Sequence, residues 1–304
     1  MRALITGGAG FIGSHLAQAL LSRSWDVVVI DNFTAGLREH VPQDAQLLVG
    51  DIGDGELVAR ALRGCEVVFH LAAVSSVQDS LGRPLEVHNT NVTSTLALLE
   101  TAVKMGAKRF VFSSSAAVYG DTAGQPARED MKPNPLSHYA VQKLACEHYC
   151  AVHHKLYNLE TVCLRYFNVY GPRQRADSPY SGVIAKFADA ARNRQPVVIF
   201  GDGRQTRDFV HVSDVVAANI VAATLPAKAV AGGTFNIGSG SSVSIDELAQ
   251  AVAKVFPGGP TAEYRAERCG EIRFSQADIS QAKQCLGYSP ATEFYNGIEQ
   301  LIKS

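Results

Sequence analysis

Clustered cysteines, long apolar runs and a surplus of charge of one sign are all missing from this sequence. The six cysteines of the 304-residue chain stand at 65, 146, 150, 163, 269 and 285, with no Cys-x-x-Cys pair and no metal-ligand spacing. That excludes a disulfide scaffold and gives no metal site. Cys146 and Cys150 share a helix face and read as small core residues. No apolar stretch approaches the roughly 20 residues of a membrane span. Lys and Arg number 28 against 29 Asp and Glu, with neither a polybasic tract nor an acidic tail. Neither nucleic acid nor a membrane is therefore indicated as a partner. The chain opens directly on Arg2-Ala-Leu-Ile-Thr6, without a basic and apolar leader. The expectation is a soluble, cytoplasmic, reduced enzyme.

What is present is core material: 46% of residues are hydrophobic and 19% charged. The first two-thirds alternate short β-branched runs with longer helical patterns. Strands are expected at Ala3–Thr6, Val27–Asp31, Gln46–Val49, Val67–Leu71, Arg109–Ser113 and Thr161–Arg165, with helices near 12–22, 54–62, 84–105 and 138–156. Val27-Val28-Val29-Ile30 is continuously apolar, as a parallel strand covered on both faces should be. The alternation predicts an α/β fold with a doubly wound parallel sheet. Beyond Asn168 the rhythm loosens, with helices expected near 182–194, 213–224, 244–256, 278–286 and 292–302 and strands at Pro196–Phe200 and Thr234–Ile237. The division is a dinucleotide domain over 1–167 and a smaller α/β substrate lobe over 168–304, with segments around 205–237 free to return to the main sheet.

Gly7-Gly8-Ala9-Gly10-Phe11-Ile12-Gly13 follows the first strand and opens the first helix. Strand, glycines and helix in that order bring backbone N–H groups and a helix N-terminus to a pyrophosphate. The second strand ends at Asp31-Asn32, where a carboxylate accepts from adenosine ribose hydroxyls and repels a 2′-phosphate. NAD is favoured over NADP, although Arg38 nearby leaves the phosphorylated form open. Asp51-Ile52, after the third strand, would flank the adenine.

Tyr139 and Lys143 are four apart in a helical pattern and so share a face. A phenol is a poor base at neutral pH, with a pKa of about 10. A neighbouring ammonium and a positive nicotinamide ring would both favour the phenolate. Ser113-Ser114-Ser115 follows the strand 109–113 at the carboxyl edge, where one hydroxyl could share the substrate hydroxyl with Tyr139.

Taken with His70-Leu71-Ala72-Ala73, Asn91-Val92, Ser113–Gly120, Leu164–Gly171, Arg207-Asp-Phe-Val-His211 and Arg268–Asp278, these motifs make the whole chain resemble the extended short-chain dehydrogenase/reductases. Within them it is similar to the UDP-glucose and UDP-N-acetylglucosamine 4-epimerases. The resemblance implies a Rossmann-like fold, a UDP-sugar substrate, Ser115 as catalytic serine, Tyr139 as base and Lys143 on the nicotinamide ribose. It implies cofactor contacts at Leu71, Ala72 and Ala73, support from Asn91, and Tyr166 beside the nicotinamide. Gln142 departs from the small residue common before the lysine. Related dehydratases carry Asp-Glu after the serine, and decarboxylases keep the glutamate; Ala116-Ala117 stand here and transfer no protons.

For the substrate the resemblance nominates Asn168, Arg207 and Arg268 at the pyrophosphate, Phe200 beside the uracil and Glu271 at the ribose. Ser275 stands where a bulky tyrosine restricts the pocket to plain hexoses, so its small side chain implies room for an N-acetyl group. The implied reaction is C4 epimerisation through a 4-keto sugar. A net nucleotide-sugar reductase, epimerisation at another carbon, or a non-catalytic NAD-binding regulator are the alternatives. The family's habit of packing two helices into a four-helix bundle implies a homodimer through 84–105 and 138–156, whose apolar surplus includes Leu96, Leu99, Val103 and Leu144.

Overall fold

The structure is a computed structural model and describes residues 1–123, 125–175, 182–256, 260–267 and 272–303. In chain order the strands are β1 (Arg2–Thr6), β2 (Asp26–Asp31), β3 (Gln46–Val49), β4 (Val67–His70), β5 (Arg109–Ser115), β6 (Glu160–Tyr166), β7 (Asn168–Tyr170), β8 (Val197–Phe200), β9 (Thr206–Arg207), β10 (Phe209–His211), β11 (Thr234–Ile237), β12 (Val243–Ser244) and β13 (Ala262–Arg265). The helices are α1 (Phe11–Leu21), α2 (Gly55–Ala61), α3 (Val77–Gly82), α4 (Pro84–His88), α5 (Ser94–Lys104), α6 (His138–Tyr157), α7 (Val183–Arg192), α8 (Val212–Thr224), α9 (Ala227–Val230), α10 (Ile245–Val255), α11 (Ser280–Leu286) and α12 (Phe294–Lys303).

Seven strands form one sheet in the order β11-β6-β5-β4-β1-β2-β3. Every pairing in it is parallel. Both faces are covered, which explains the unbroken apolar strands. Ala3, Ile5, Val27 and Val29 enter a core shared with α1 and α8. Their alternates Leu4, Val28 and Ile30 enter a second core with α2, α5 and α6. Each fully buried side chain of this size contributes about 1.5–3 kcal/mol. β2 and β3 lie to one side of β1, and β4, β5, β6 and β11 to the other. The winding therefore reverses between β1 and β4, where doubly wound sheets open a crevice at their carboxyl ends.

One sequence expectation is corrected here. The helix expected over 84–105 is two helices, α4 and α5, joined by a π turn at Asn89–Thr93. That wider turn leaves the Asn91 carbonyl to accept from the Thr95 hydroxyl (2.6 Å) and the Cys146 thiol (3.1 Å). Helix α3 was not anticipated at all, because six residues carry too little periodicity. Within 168–304, segments of the stretch 205–237 return to the main body, as the sequence left open. β11 extends the main sheet beside β6, and both α8 and α11 (through Ala282 and Leu286) pack into the first core. A third core holds the remainder together, built from Ile184 and Phe187 of α7, Ile199 of β8, Leu248 and Val252 of α10 and Ile298 of α12. Among the described residues no helix is long and apolar enough to cross a membrane.

Candidate active site

The glycine loop fills the reversal point. Gly7 has φ +71°, and a Cβ there would lie 2.8 Å from the Ala72 backbone nitrogen, so the loop after β4 can close only on a bare backbone. A Cβ on Gly13 would run into the Gly7 carbonyl. Gly10 caps α1 with no side chain, so the first-turn N–H groups face the crevice free to meet a phosphate. Phe11 and Ile12 turn back onto the first core. This geometry fits the pyrophosphate of NAD.

Asp31 is fixed at the end of β2 by two backbone donors, Ala9 N–H to Oδ2 (2.9 Å) and Phe33 N–H to Oδ1 (2.8 Å). Asn32 donates to Asp51 (2.8 Å), which also accepts from the Gly53 amide. Ile52 is buried in the second core, so only its backbone is left to face an adenine. After β4, Ala72 N–H donates to Thr6 Oγ1 (3.2 Å). Asn91 clips the chain just beyond Ala73, accepting from Val74 N–H (2.8 Å) and donating to Val74 C=O (3.0 Å). Its amide also donates to Gln142 (2.9 Å), so the residue that departs from the family's small one links the π turn to α6. His70 lies buried between Thr6 and Thr95 at 2.7 and 2.8 Å. Desolvation, helped by the Lys143 cation, pushes its pKa down to about 3, so it is neutral.

At the end of β5, Ser115 Oγ accepts from Ala117 N–H (3.2 Å). Tyr139 sits in the first turn of α6 with 9% of its surface exposed. Burial raises its phenol pKa, and the nearby Ser115 hydroxyl acts against that rise. Lys143, one turn on, does not pair with the phenol: Nζ donates to Ser113 C=O (2.7 Å) and lies 5.9 Å from the Tyr139 ring centre. Desolvation lowers the lysine to about 8, with Glu147 among the groups resisting the fall. One further turn on, Glu147 accepts from Ser114 Oγ (2.5 Å) and from Arg165 Nε (2.8 Å) and Nη2 (2.6 Å). Helix α6 is thus fastened to β5 and β6 at successive turns, an arrangement that the motif alone did not reveal. Tyr166 accepts from Ser113 Oγ (3.1 Å) and donates to Asn219 (2.9 Å), and burial lifts its pKa to about 12.

A cavity of about 360 Å³ opens beside Ser115 and brings Tyr166, Asn168, Arg207 and Ser275 to its walls. Ala116 and Ala117 line it next to the serine. Asn168 is held by the Asp208 carbonyl (3.1 Å), and the Arg207 guanidinium donates to the Ile272 carbonyl (2.7 Å). Phe200 lines an adjoining recess with Gln205 and Arg273, which shares Ile272 with the main cavity. Arg268 and Glu271 lie outside the described residues. Sequence reading missed Val77, Tyr119, Leu136 and Ser137 on the cavity wall. Of these, Ser137 carried a signal, because a serine directly before a helical run reads as an N-cap.

Comparison with known proteins agrees with this geometry. The UDP-glucose 4-epimerase of Mycolicibacterium smegmatis is 37% identical over all of this chain and 98% of its own. The crystal structure of a UDP-glucose 4-epimerase with UDP-glucose from Thermotoga maritima superposes with a TM-score of 0.95 at 36% identity, covering 100% of this chain and 98% of that one. A UDP-N-acetylglucosamine 4-epimerase from Methanobrevibacter ruminantium, in complex with UDP-N-acetylmuramic acid, gives 0.94 at 36% identity over 99% and 97% of the two chains. The family model for NAD dependent epimerases/dehydratases matches residues 3–238, and with the glycine crevice and the Ser115–Tyr139 pair it assigns the chain to that NAD-dependent epimerase/dehydratase family.

Proposed function

We propose that this protein is a 4-epimerase of UDP-sugars. The observation that carries the reading is Ser115 on the wall of a cavity, close enough to buried Tyr139 to favour its phenolate, with adjacent positions Ala116 and Ala117 that hold no second acid or base. Glycines 7, 10 and 13, Asp31 and the loop 71–73 would hold NAD, which supplies the hydride acceptor and donor. Tyr139 takes the C4 hydroxyl proton, and Ser115 holds that oxygen in line. Lys143 would hold the ribose side of the cofactor and keep a positive charge near the site. After the 4-keto sugar has turned over, the hydride held by the cofactor would return to the opposite face of C4, and Tyr139 gives the proton back to the C4 oxygen. Dehydration or decarboxylation would need a further proton carrier beside the sugar, and the two alanines supply none. Asn168, Arg207 and Phe200 would take the nucleotide end, where the family resemblance also nominates Arg268 and Glu271, which lie outside the described residues.

Ser275 is half-buried on the cavity wall and leaves room for an N-acetyl group, which favours UDP-N-acetylglucosamine and its C4 epimer as well as the plain hexose pair. A homodimer is supported by exposed apolar side chains on α4 and α6: Leu85, Val141, Val152 and Leu156 are 45–80% exposed. They replace the four leucines and valines named from sequence, since Leu99 is in the second core and Leu96, Val103 and Leu144 are half-buried. Five described cysteines are unbridged, in keeping with a reducing cytoplasm. The test is to incubate purified protein separately with UDP-glucose, UDP-N-acetylglucosamine and UDP-glucuronic acid without added cofactor and to separate the products. Conversion to the C4 epimer is expected, and Tyr139→Phe should lower turnover at least about 100-fold. Consumption of stoichiometric NADH, or a Tyr139→Phe variant that keeps most of its turnover, overturns the reading.

A further inference from the structure

The four first N–H groups of any helix lack intrahelical partners, and in α6 one of these orphans belongs to Tyr139 itself. The helix's own cap, Ser137 Oγ, takes the Ala140 amide (3.2 Å) and leaves the Tyr139 amide unserved. The missing acceptor comes from another element: Tyr139 N–H donates to Ser80 Oγ of α3 at 3.1 Å. Ser80 is fully buried, and its own proton goes to the Val77 carbonyl at 2.6 Å, which turns the oxygen's lone pairs toward Tyr139. Val77 in turn lines the cavity beside Ser115. A line of two hydrogen bonds therefore runs from the cavity wall to the backbone of the residue assigned as base.

We propose that Ser80 is a positioning residue that fixes the first turn of α6 so that the Tyr139 phenol meets Ser115 and the substrate hydroxyl. The proposal rests on the reading of Tyr139 as the base. The later turns of α6 are already anchored by Lys143 on Ser113 and by Glu147 on Arg165. Only the first turn, the one that carries the phenol, depends on α3. Loss of the Ser80 hydroxyl frees that turn to fray while leaving the rest of the helix fastened. Displacement of a reacting group by a fraction of an ångström is enough to slow proton transfer.

The test is Ser80→Ala in the NAD-loaded protein; alanine is the best helix former and so offsets the loss of the Ser80–Val77 bond within α3. Three readouts are taken: amide hydrogen exchange at Tyr139, bound NAD per chain, and kcat, KM and solvent isotope effect on UDP-sugar epimerisation. The expected result is exchange at Tyr139 at least about tenfold faster, with NAD content unchanged. Turnover falls about tenfold at a KM within about twofold, and the D2O effect on kcat rises because proton transfer becomes limiting. Unchanged exchange overturns the proposal whatever the activity does. Faster exchange with unaltered kcat, or a kcat loss matched by loss of NAD, also overturns it by reducing Ser80 to a structural cap. Absence of turnover in the wild type would sink the epimerase reading instead, and the exchange result would still decide whether Ser80 holds Tyr139.

Discussion

The carboxyl ends of β1 and β5 lie two strands apart in the same sheet and solve opposite problems. At β1 the site is made by leaving things out: Gly7 and Gly13 admit no Cβ, and the uncapped start of α1 presents backbone alone. At β5 the site is made by putting polar side chains into a dry interior. Lys143, Glu147 and Arg165 are each at most 7% exposed and touch β5 or one another. A pyrophosphate needs many weak donors at short range, which backbone provides. Proton transfer needs one group at one place, and buried side chains bonded to one another and to β5 hold it there.

The sharpest way to break this contrast is Gly13→Ala. The added methyl meets the Gly7 carbonyl, which is backbone and cannot swing aside. Loss of bound NAD and a fall in turnover of more than about 100-fold are expected, since the cofactor's binding surface itself must move. Retained NAD absorbance in the purified variant would show that the loop is more compliant than its contacts imply. At β5 the corresponding change is Glu147→Ala. Removing one partner of a buried ion pair leaves Arg165 charged and uncompensated, which destabilises by about 3–5 kcal/mol. Equilibrium urea unfolding measures it; a loss below about 1 kcal/mol would mean that water reaches the guanidinium.

The two sites also differed in how far the sequence disclosed them. Glycine spacing is local, so Gly7–Gly13 and Asp31 could be read directly, as could the six-strand rhythm that became β1 to β6. The fastening of α6 was not legible, because Glu147 and Arg165 are 18 residues apart and meet only once α6 lies across β6. Ser80 was invisible for a related reason: α3 is six residues long, and the atom that Ser80 binds belongs to a backbone 59 residues further on. The π turn escaped because it adds one residue to a helix whose apolar pattern stays continuous. The return of β11 to the main sheet, which the sequence left open for the stretch 205–237, is fixed by long-range parallel pairing with β6.

His70 joins the two sites, bonded to Thr6 beside the glycine loop and to Thr95 beside the π turn. Its folded pKa of about 3 lies below the ordinary 6.5, so between those values the unfolded chain binds a proton that the native protein does not. Stability from this group is complete above about pH 6.5 and falls as the pH drops toward 3, by about 1.4 kcal/mol per pH unit. His70→Asn removes that dependence. Unfolding free energies at pH 6.5 and 5.0 should converge between variant and wild type as the pH falls; parallel lines would mean that His70 titrates normally.

Ser114→Ala makes the smallest change and resolves what Glu147 owes to each partner. The Ser114 hydroxyl donates to Glu147 Oε1, the same oxygen that accepts from Arg165 Nε. With serine gone the ion pair persists, so the loss is one hydrogen bond to a charged group, about 1.5–3 kcal/mol at most. The methyl of alanine fits the vacated space, and no donor is stranded, which places the expected value at the low end. Combined with Glu147→Gln in a double-mutant cycle, the two changes should be clearly non-additive, because both act on one carboxylate oxygen. Additive losses would mean that Ser114 and Arg165 hold Glu147 independently. The fastening of α6 would then be a set of separate contacts, as loosely coupled as the backbone donors around the glycine loop.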